Sequence, residues 1–154
     1  MRCSIDTSAL LDGWTRYYPP DVFPDVWTGI EELIEQGELR ATEEVFVELK
    51  KRDDEIFAWA KSHEASLFVA IGDQIQEKVA SILAQHERLV RHNRSGADPF
   101  VIGLAMVEGC AVVTGERLSG SLEKPKIPDV CDALEVPHLD LLGLFRQQGW
   151  RFVR

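Results

Sequence analysis

The sequence predicts a three-layer α/β/α fold with a central parallel sheet flanked by helices, in a single domain spanning 1–154. Three observations predict it. Short apolar, β-branched runs alternate along the chain with stretches of helical periodicity, the pattern of parallel α/β folds. The stretch Phe100–Val107 is apolar at nearly every position, as in a helix buried centrally rather than lying on a surface. The chain is 154 residues long, one ordinary domain with room for a real core, and it shows no internal repeat.

The first strand begins at Cys3 and ends in Asp6, and Ser8 to Trp14 starts a short helix. Tyr17-Tyr18-Pro19-Pro20-Asp21 is a loop held open by prolines. Asp25 then caps a helix whose apolar positions are Val26, Trp27, Ile30, Leu33 and Ile34, and Gly37 ends it. Leu39-Arg40-Ala41 reads as a second strand, and Thr42 caps a helix carrying Val45, Phe46, Glu48 and Leu49. Asp53–Lys61 is helical, and Asp73–His92 is a long amphipathic helix with Ile75, Val79, Ile82, Leu83, Leu89 and Val90 turned inward. Asp98-Pro99 opens the apolar helix, and Cys110–Thr114 is the clearest strand of the second half. Val136–Leu139 and Arg151–Val153 are further expected strands around a helix over Leu141–Gln148.

Composition narrows the function classes. Hydrophobic residues make up 45% and charged residues 28%, ordinary for a globular protein. No apolar run approaches the roughly 20 residues that span a bilayer. No basic region followed by a long apolar stretch opens the chain, so a cytoplasmic location is expected. Cys3, Cys110 and Cys131 are odd in number and lack Cys-x-x-Cys or His pairing, so buried reduced thiols are expected rather than zinc. The formal net charge of −9 argues against nonspecific coating of nucleic acid, which needs Lys and Arg. It leaves open an enzyme that meets phosphates through a cation, because a bound cation reverses the local sign.

Four acids fall at comparable junctions: Asp6 after the first strand, Glu48 on a helix, Asp98 opening the buried helix, and Glu116 just past the next strand. In a parallel sheet a strand's carboxyl end is where open α/β folds build ligand sites. Each acid also has a plainer reading. Asp6 and Asp98 suit helix starts, Glu48 lies among other solvent-facing glutamates, and Glu116 sits in a Gly-Glu-Arg turn. Their order and context favour one site, and an aspartate can cap a helix with one oxygen and bind a cation with the other.

Ile5-Asp6-Thr7-Ser8-Ala9-Leu10-Leu11, Val45-Phe46-Val47-Glu48-Leu49, Ala97-Asp98-Pro99-Phe100-Val101-Ile102-Gly103-Leu104-Ala105 and Val112-Val113-Thr114-Gly115-Glu116 together resemble the PIN-domain nucleases, in the same order and over most of the chain. That family more often has Asp where Glu116 stands. The Tyr17–Pro20 insertion and the segment Lys124–Cys131 look like features of a subgroup.

The resemblance implies a Mg2+- or Mn2+-dependent endoribonuclease, similar to VapC-type toxins. Asp6 and Asp98 would bind the metal directly, and Glu48 and Glu116 would hold its waters or a second ion. It also implies an RNA substrate, a small antitoxin protein as partner and a homodimer. Ser8 and Thr114 would orient the carboxylates or the substrate phosphate, or else act as ordinary cap and strand-end residues. Arg117, Lys124 and Lys126 form either a basic rim for phosphate or a solvated loop. Trp14, Tyr17, Tyr18, Phe23 and Trp27 either stack on bases or pack a loop onto the core.

Other classes fit less well. A haloacid-dehalogenase phosphatase needs a second Asp two residues after the first, where this chain has Ser8. A receiver domain does not suit the Asp98-Pro99 helix start. A catalytically impaired PIN-like binding or scaffold module is the main rival, supported by Glu116 in place of Asp. Four clustered carboxylates, which repel one another without a cation, argue against an idle site.

Overall fold

A computed structural model describes residues 2–88 and 96–154. The element order is β1 (Cys3–Ile5), α1 (Thr7–Asp12) running on into a π-helical turn (Gly13–Tyr17), α2 (Pro24–Glu35), β2 (Leu39–Thr42), α3 (Glu43–Lys50), α4 (Glu55–Ser62), α5 (Glu64–Leu67) and β3 (Phe68–Val69). Then come α6 (Asp73–His86), α7 (Asp98–Glu108), β4 (Ala111–Val113), α8 (Ile127–Ala133), β5 (His138–Leu139) and α9 (Leu141–Gln148). The expected continuation of α6 over 89–92, with Leu89 and Val90, lies outside the described residues.

The strands form one sheet in the order β3-β2-β1-β4-β5, and every pairing is parallel. From β1 the chain moves outward through β2 to β3, then returns to β1's other side for β4. The strand order therefore reverses between β1 and β4, where crevices open in such sheets. Ser4 and its neighbours on β1 show why both faces are covered. The Ser4 hydroxyl donates to the Val101 carbonyl of α7 at 2.8 Å, while Cys3 and Ile5 point to the opposite face and are equally buried. This is the expected three-layer α/β/α arrangement.

The all-apolar character of α7 follows from its position between two partners. Val101, Ile102 and Ala105 belong to the main core with the sheet, whereas Leu104 packs with Ile75 and Val79 of α6. Phe100, Val107 and Leu83 seal that second contact. Gly109, in the left-handed conformation at φ 63°, ends α7 and turns the chain into β4.

Several expectations need correction. Arg151–Val153 is not a strand; Phe152 and Val153 are exposed there. Trp150 stacks on Phe145 with ring centroids 5.3 Å apart and lies against Gly29 of α2, so the chain end follows these helices instead of the sheet. α2 begins at Pro24 with Asp25 in its first turn, and Ala97 rather than Asp98 is the residue before α7. Asp53 precedes α4 in a left-handed conformation at φ 47°, and Asp54 caps that helix. The two-residue β3 and the helix α8 are elements beyond those the sequence predicts.

Candidate active site

The register between β1 and β4 pairs Ile5 with Val113, which sets Asp6 and Thr114 side by side at the carboxyl edge. Asp6 is 2% exposed and caps α1, its Oδ1 accepting the Ala9 N–H at 2.7 Å. The Thr114 hydroxyl donates to Oδ2 at 2.5 Å, and the Ser8 hydroxyl lies 2.9 and 2.8 Å from the two oxygens. Each hydroxyl in turn accepts a backbone N–H from the loop after β4: Gly115 to Ser8 and Glu116 to Thr114, both at 3.0 Å. Two hydroxyls thus lock that loop to the end of β1. A carboxylate offers about four lone-pair sites, and Ser8 has one proton to give, so one site on Asp6 remains for a further partner.

Gly115 is required by this closeness. A Cβ there would sit 2.6 Å from Asp12 Oδ2 and 3.1 Å from the Ser8 carbonyl oxygen.

The other acids reach the same edge by separate routes. The Thr7 hydroxyl, adjacent to Asp6, donates to Glu48 Oε1 at 2.9 Å. Glu116 is half-buried, and its Oε2 accepts the N–H of Ile127 at the start of α8 at 2.8 Å. Asp98 is 6% exposed in the first turn of α7. Because α7 returns the chain to the start of a parallel strand, it runs antiparallel to the sheet. The Ser4–Val101 bond fixes its register, so Asp98, one turn before Val101, and Asp6, two residues beyond Ser4 on the same face, both lie toward the carboxyl edge.

The electrostatics match this convergence. Burial pushes the Asp6 carboxyl up to about 7; the hydrogen bonds from Thr114, Ala9 and Ser8 pull it down, and the nearby Glu116 charge pushes it further up. Burial also raises Glu116, aided by the charges of Glu48 and Asp129 and opposed by the Ile127 N–H and Lys126. A carboxyl raised by burial and by a neighbouring acid, as Asp6 and Glu116 each are, is relieved by a cation. Their oxygen-only chemistry suits a hard divalent ion such as Mg2+, which takes one or two carboxylates and keeps waters elsewhere. Among the described residues no three His, Cys, Asp or Glu side chains stand close enough to form a ligand set by themselves.

Beside this centre a cleft of about 430 Å³ opens over the ends of β4 and β5. Thr114, Gly115 and Glu116 line it together with Asp12, Tyr17, Tyr18, Arg117, Leu118, His138, Asp140 and Leu142. Asp12 and Asp140 carry no functional signal of their own in the sequence, and Asp12 lies against Gly115 of the loop that holds Asp6. The only sequence pointer to Asp12 is its position one helical turn after Ser8.

The remaining candidates divide. Arg117 lines the cleft and the Lys126 charge acts on Glu116, whereas Lys124 is exposed. Trp14 and Trp27 pack edge to face at 4.8 Å, and Trp27 donates to the Tyr18 carbonyl. Phe23 packs against Tyr18 at 5.8 Å, which leaves Tyr17 and Tyr18 as the aromatics of the cleft. All three cysteines are buried and unbridged, and burial raises the Cys131 thiol to about 12.

No described helix is long and apolar enough to cross a membrane. A comparison with curated proteins finds no match. The family model described as a domain of unknown function (DUF4411) matches residues 3–152, nearly the whole chain, and the protein belongs to that family.

Proposed function

We infer that the protein is a metal-dependent endoribonuclease of PIN-like type, acting as the toxin of a toxin–antitoxin pair in the cytoplasm. The observation that carries this reading is the buried Asp6 at the point where strand order reverses, gripped by Ser8 and Thr114, with Glu48 and Glu116 on the same edge. The resemblance of the four acid motifs to PIN-domain nucleases supplies the reaction class. The toxin role, the antitoxin partner and a homodimer rest on that resemblance alone.

Asp6 and Asp98 would hold Mg2+ or Mn2+, with Glu48 and Glu116 as supporting acceptors. When bound, such an ion would supply charge neutralisation at the phosphodiester and make a water easier to deprotonate, so that it can attack. The chain's own residues do the rest. Ser8 and Thr114 fix the orientation of the Asp6 carboxylate by donating to it. Glu116 is held by the Ile127 N–H, so its second oxygen can accept a hydrogen bond from a water at the edge. Arg117 supplies a cation for a flanking phosphate.

The test is cleavage of a mixed pool of labelled RNA and single-stranded DNA with Mg2+ or Mn2+, comparing wild type, Asp6→Asn, and wild type with EDTA. Cleavage of RNA that is lost in both controls is the expected result. If all three samples behave alike, the nuclease reading falls and a binding module takes its place.

A further inference from the structure

The cleft over β4 and β5 shares Thr114, Gly115 and Glu116 with the carboxylate centre, so its occupant touches the loop that holds Asp6. Its volume, about 430 Å³, falls in the range of small-molecule sites. Tyr17, Leu118 and Leu142 are large apolar side chains that stay 51%, 56% and 42% exposed, and all three converge on this one cleft. A slot with apolar and aromatic walls suits a flat ring.

Two of its polar side chains are already engaged. His138 Nε2 bonds Asp132 at 2.8 Å, and Asp140 Oδ1 caps α9 by accepting the Gly143 N–H at 2.8 Å. Asp12 differs. It is half-buried, its Oδ2 faces the Gly115 backbone, and it accepts no hydrogen bond among the described residues. A carboxylate only accepts, so it selects a partner presenting N–H groups. Arg117, exposed at the same cleft, forms no ion pair among the described residues and is available to a phosphate.

We propose that this cleft is a base-binding subsite for the nucleotide beside the cut, with Asp12 reading guanine. Guanine sets its ring N–H and its 2-amino group side by side and can give both to one carboxylate, whereas adenine and cytosine offer an amino group beside an acceptor and uracil a single N–H between two carbonyls. The subsite makes the enzyme base-selective although the protein as a whole is acidic, because recognition comes from the base edge rather than from phosphate neutralisation. This inference rests on the nuclease reading for its connection to cleavage.

The experiment has a binding arm and a cutting arm. Guanosine, adenosine, cytidine and uridine 5′-monophosphates are titrated by calorimetry into the full chain in EDTA, using wild type, Asp12→Asn and Leu142→Trp. Guanosine monophosphate is expected to bind roughly tenfold tighter than the others, Asp12→Asn to bring the four within about twofold, and Leu142→Trp, which fills the slot and leaves Asp12 in place, to weaken all four. Equal binding of the four, no binding of any, or unchanged selectivity in Asp12→Asn overturns the proposal. Cut sites are then mapped on mixed RNA with Mg2+. Cutting beside guanine that loses its preference in Asp12→Asn upholds both readings. Cutting without preference leaves the nuclease and removes the subsite. Selective guanosine binding without any cutting upholds the subsite and removes the nuclease.

Discussion

Asp6 and Asp129 are both buried aspartates at helix starts, 2% and 7% exposed, and each is ringed by hydrogen bonds, yet their carboxyls move in opposite directions. At Asp129 burial alone would push the carboxyl up, but hydrogen bonds from the Lys126, Ser119 and Gly120 backbone and the Ser119 hydroxyl outweigh it and hold it below the ordinary value. At Asp6 burial prevails: one backbone N–H and two hydroxyls are too few to offset it, and Glu116 adds repulsion. The protein itself satisfies Asp129, which ties down the loop leading to α8 and so fixes the Ile127 N–H that holds Glu116. Asp6 is left with burial and Glu116 opposing its charge, which a proton or an added cation relieves. The difference separates a carboxylate whose charge the fold itself stabilises from one whose charge the fold opposes.

Breaking the comparison at its functional end should have the largest effect. Asp6→Asn keeps the size of the side chain and its capping oxygen but removes the charge, and it should lower the initial rate of RNA cleavage in Mg2+ on the order of 10²- to 10³-fold. Loss of the supporting hydroxyls should come next. Thr114→Val and Ser8→Ala each leave Asp6 in place but unoriented, and Mn2+ affinity measured by calorimetry should fall roughly 10- to 100-fold.

At the structural end, Asp129→Ala leaves several backbone donors without their acceptor and should cost roughly 1–3 kcal/mol in denaturant melts. Because the folded carboxyl sits below its unfolded value, the stability it contributes is present above the unfolded value, near pH 4, and is lost as pH falls through the folded one. The gap between wild type and mutant should therefore narrow in acid.

The smallest effect sharpens the contrast because its sign is reversed. Folded Asp6 keeps its proton up to about pH 7, while the unfolded chain releases it near pH 4. The folded state binds more protons across that window, so metal-free protein loses stability from this group as pH rises through it. Asp6→Asn should then raise the melting temperature of metal-free protein by a few degrees at pH 8 and give no gain below pH 4.

How much of this was legible in the sequence depends on the kind of signal. The places of Asp6 at a strand end and Asp98 in the first turn of the buried helix could be read because a strand end followed by hydroxyls, and Asp-Pro before an apolar run, leave local marks. The layered fold could be read because the strand and helix periods alternate. Asp129 has little local signal beyond the preceding Pro128, because its hydrogen bonds come from a loop that closes back on it. Asp12 was missed because its neighbour Gly115 lies 103 positions further along the chain and only the sheet brings them together. The two-residue β3 was too short to show a period, and the apolar end Phe152-Val153 imitated a strand whose place was taken by the docking of Trp150.

Whether Asp6 takes a cation and Asp129 does not is decided by Mn2+ titration at pH 7.5. Calorimetry of wild type, Asp6→Asn and Asp129→Asn, each first shown to be folded by circular dichroism, would make the comparison. Wild type should bind, Asp6→Asn should lose binding, and Asp129→Asn should keep it. Equal binding by Asp6→Asn and wild type, or no binding by wild type, would contradict a cation site at Asp6.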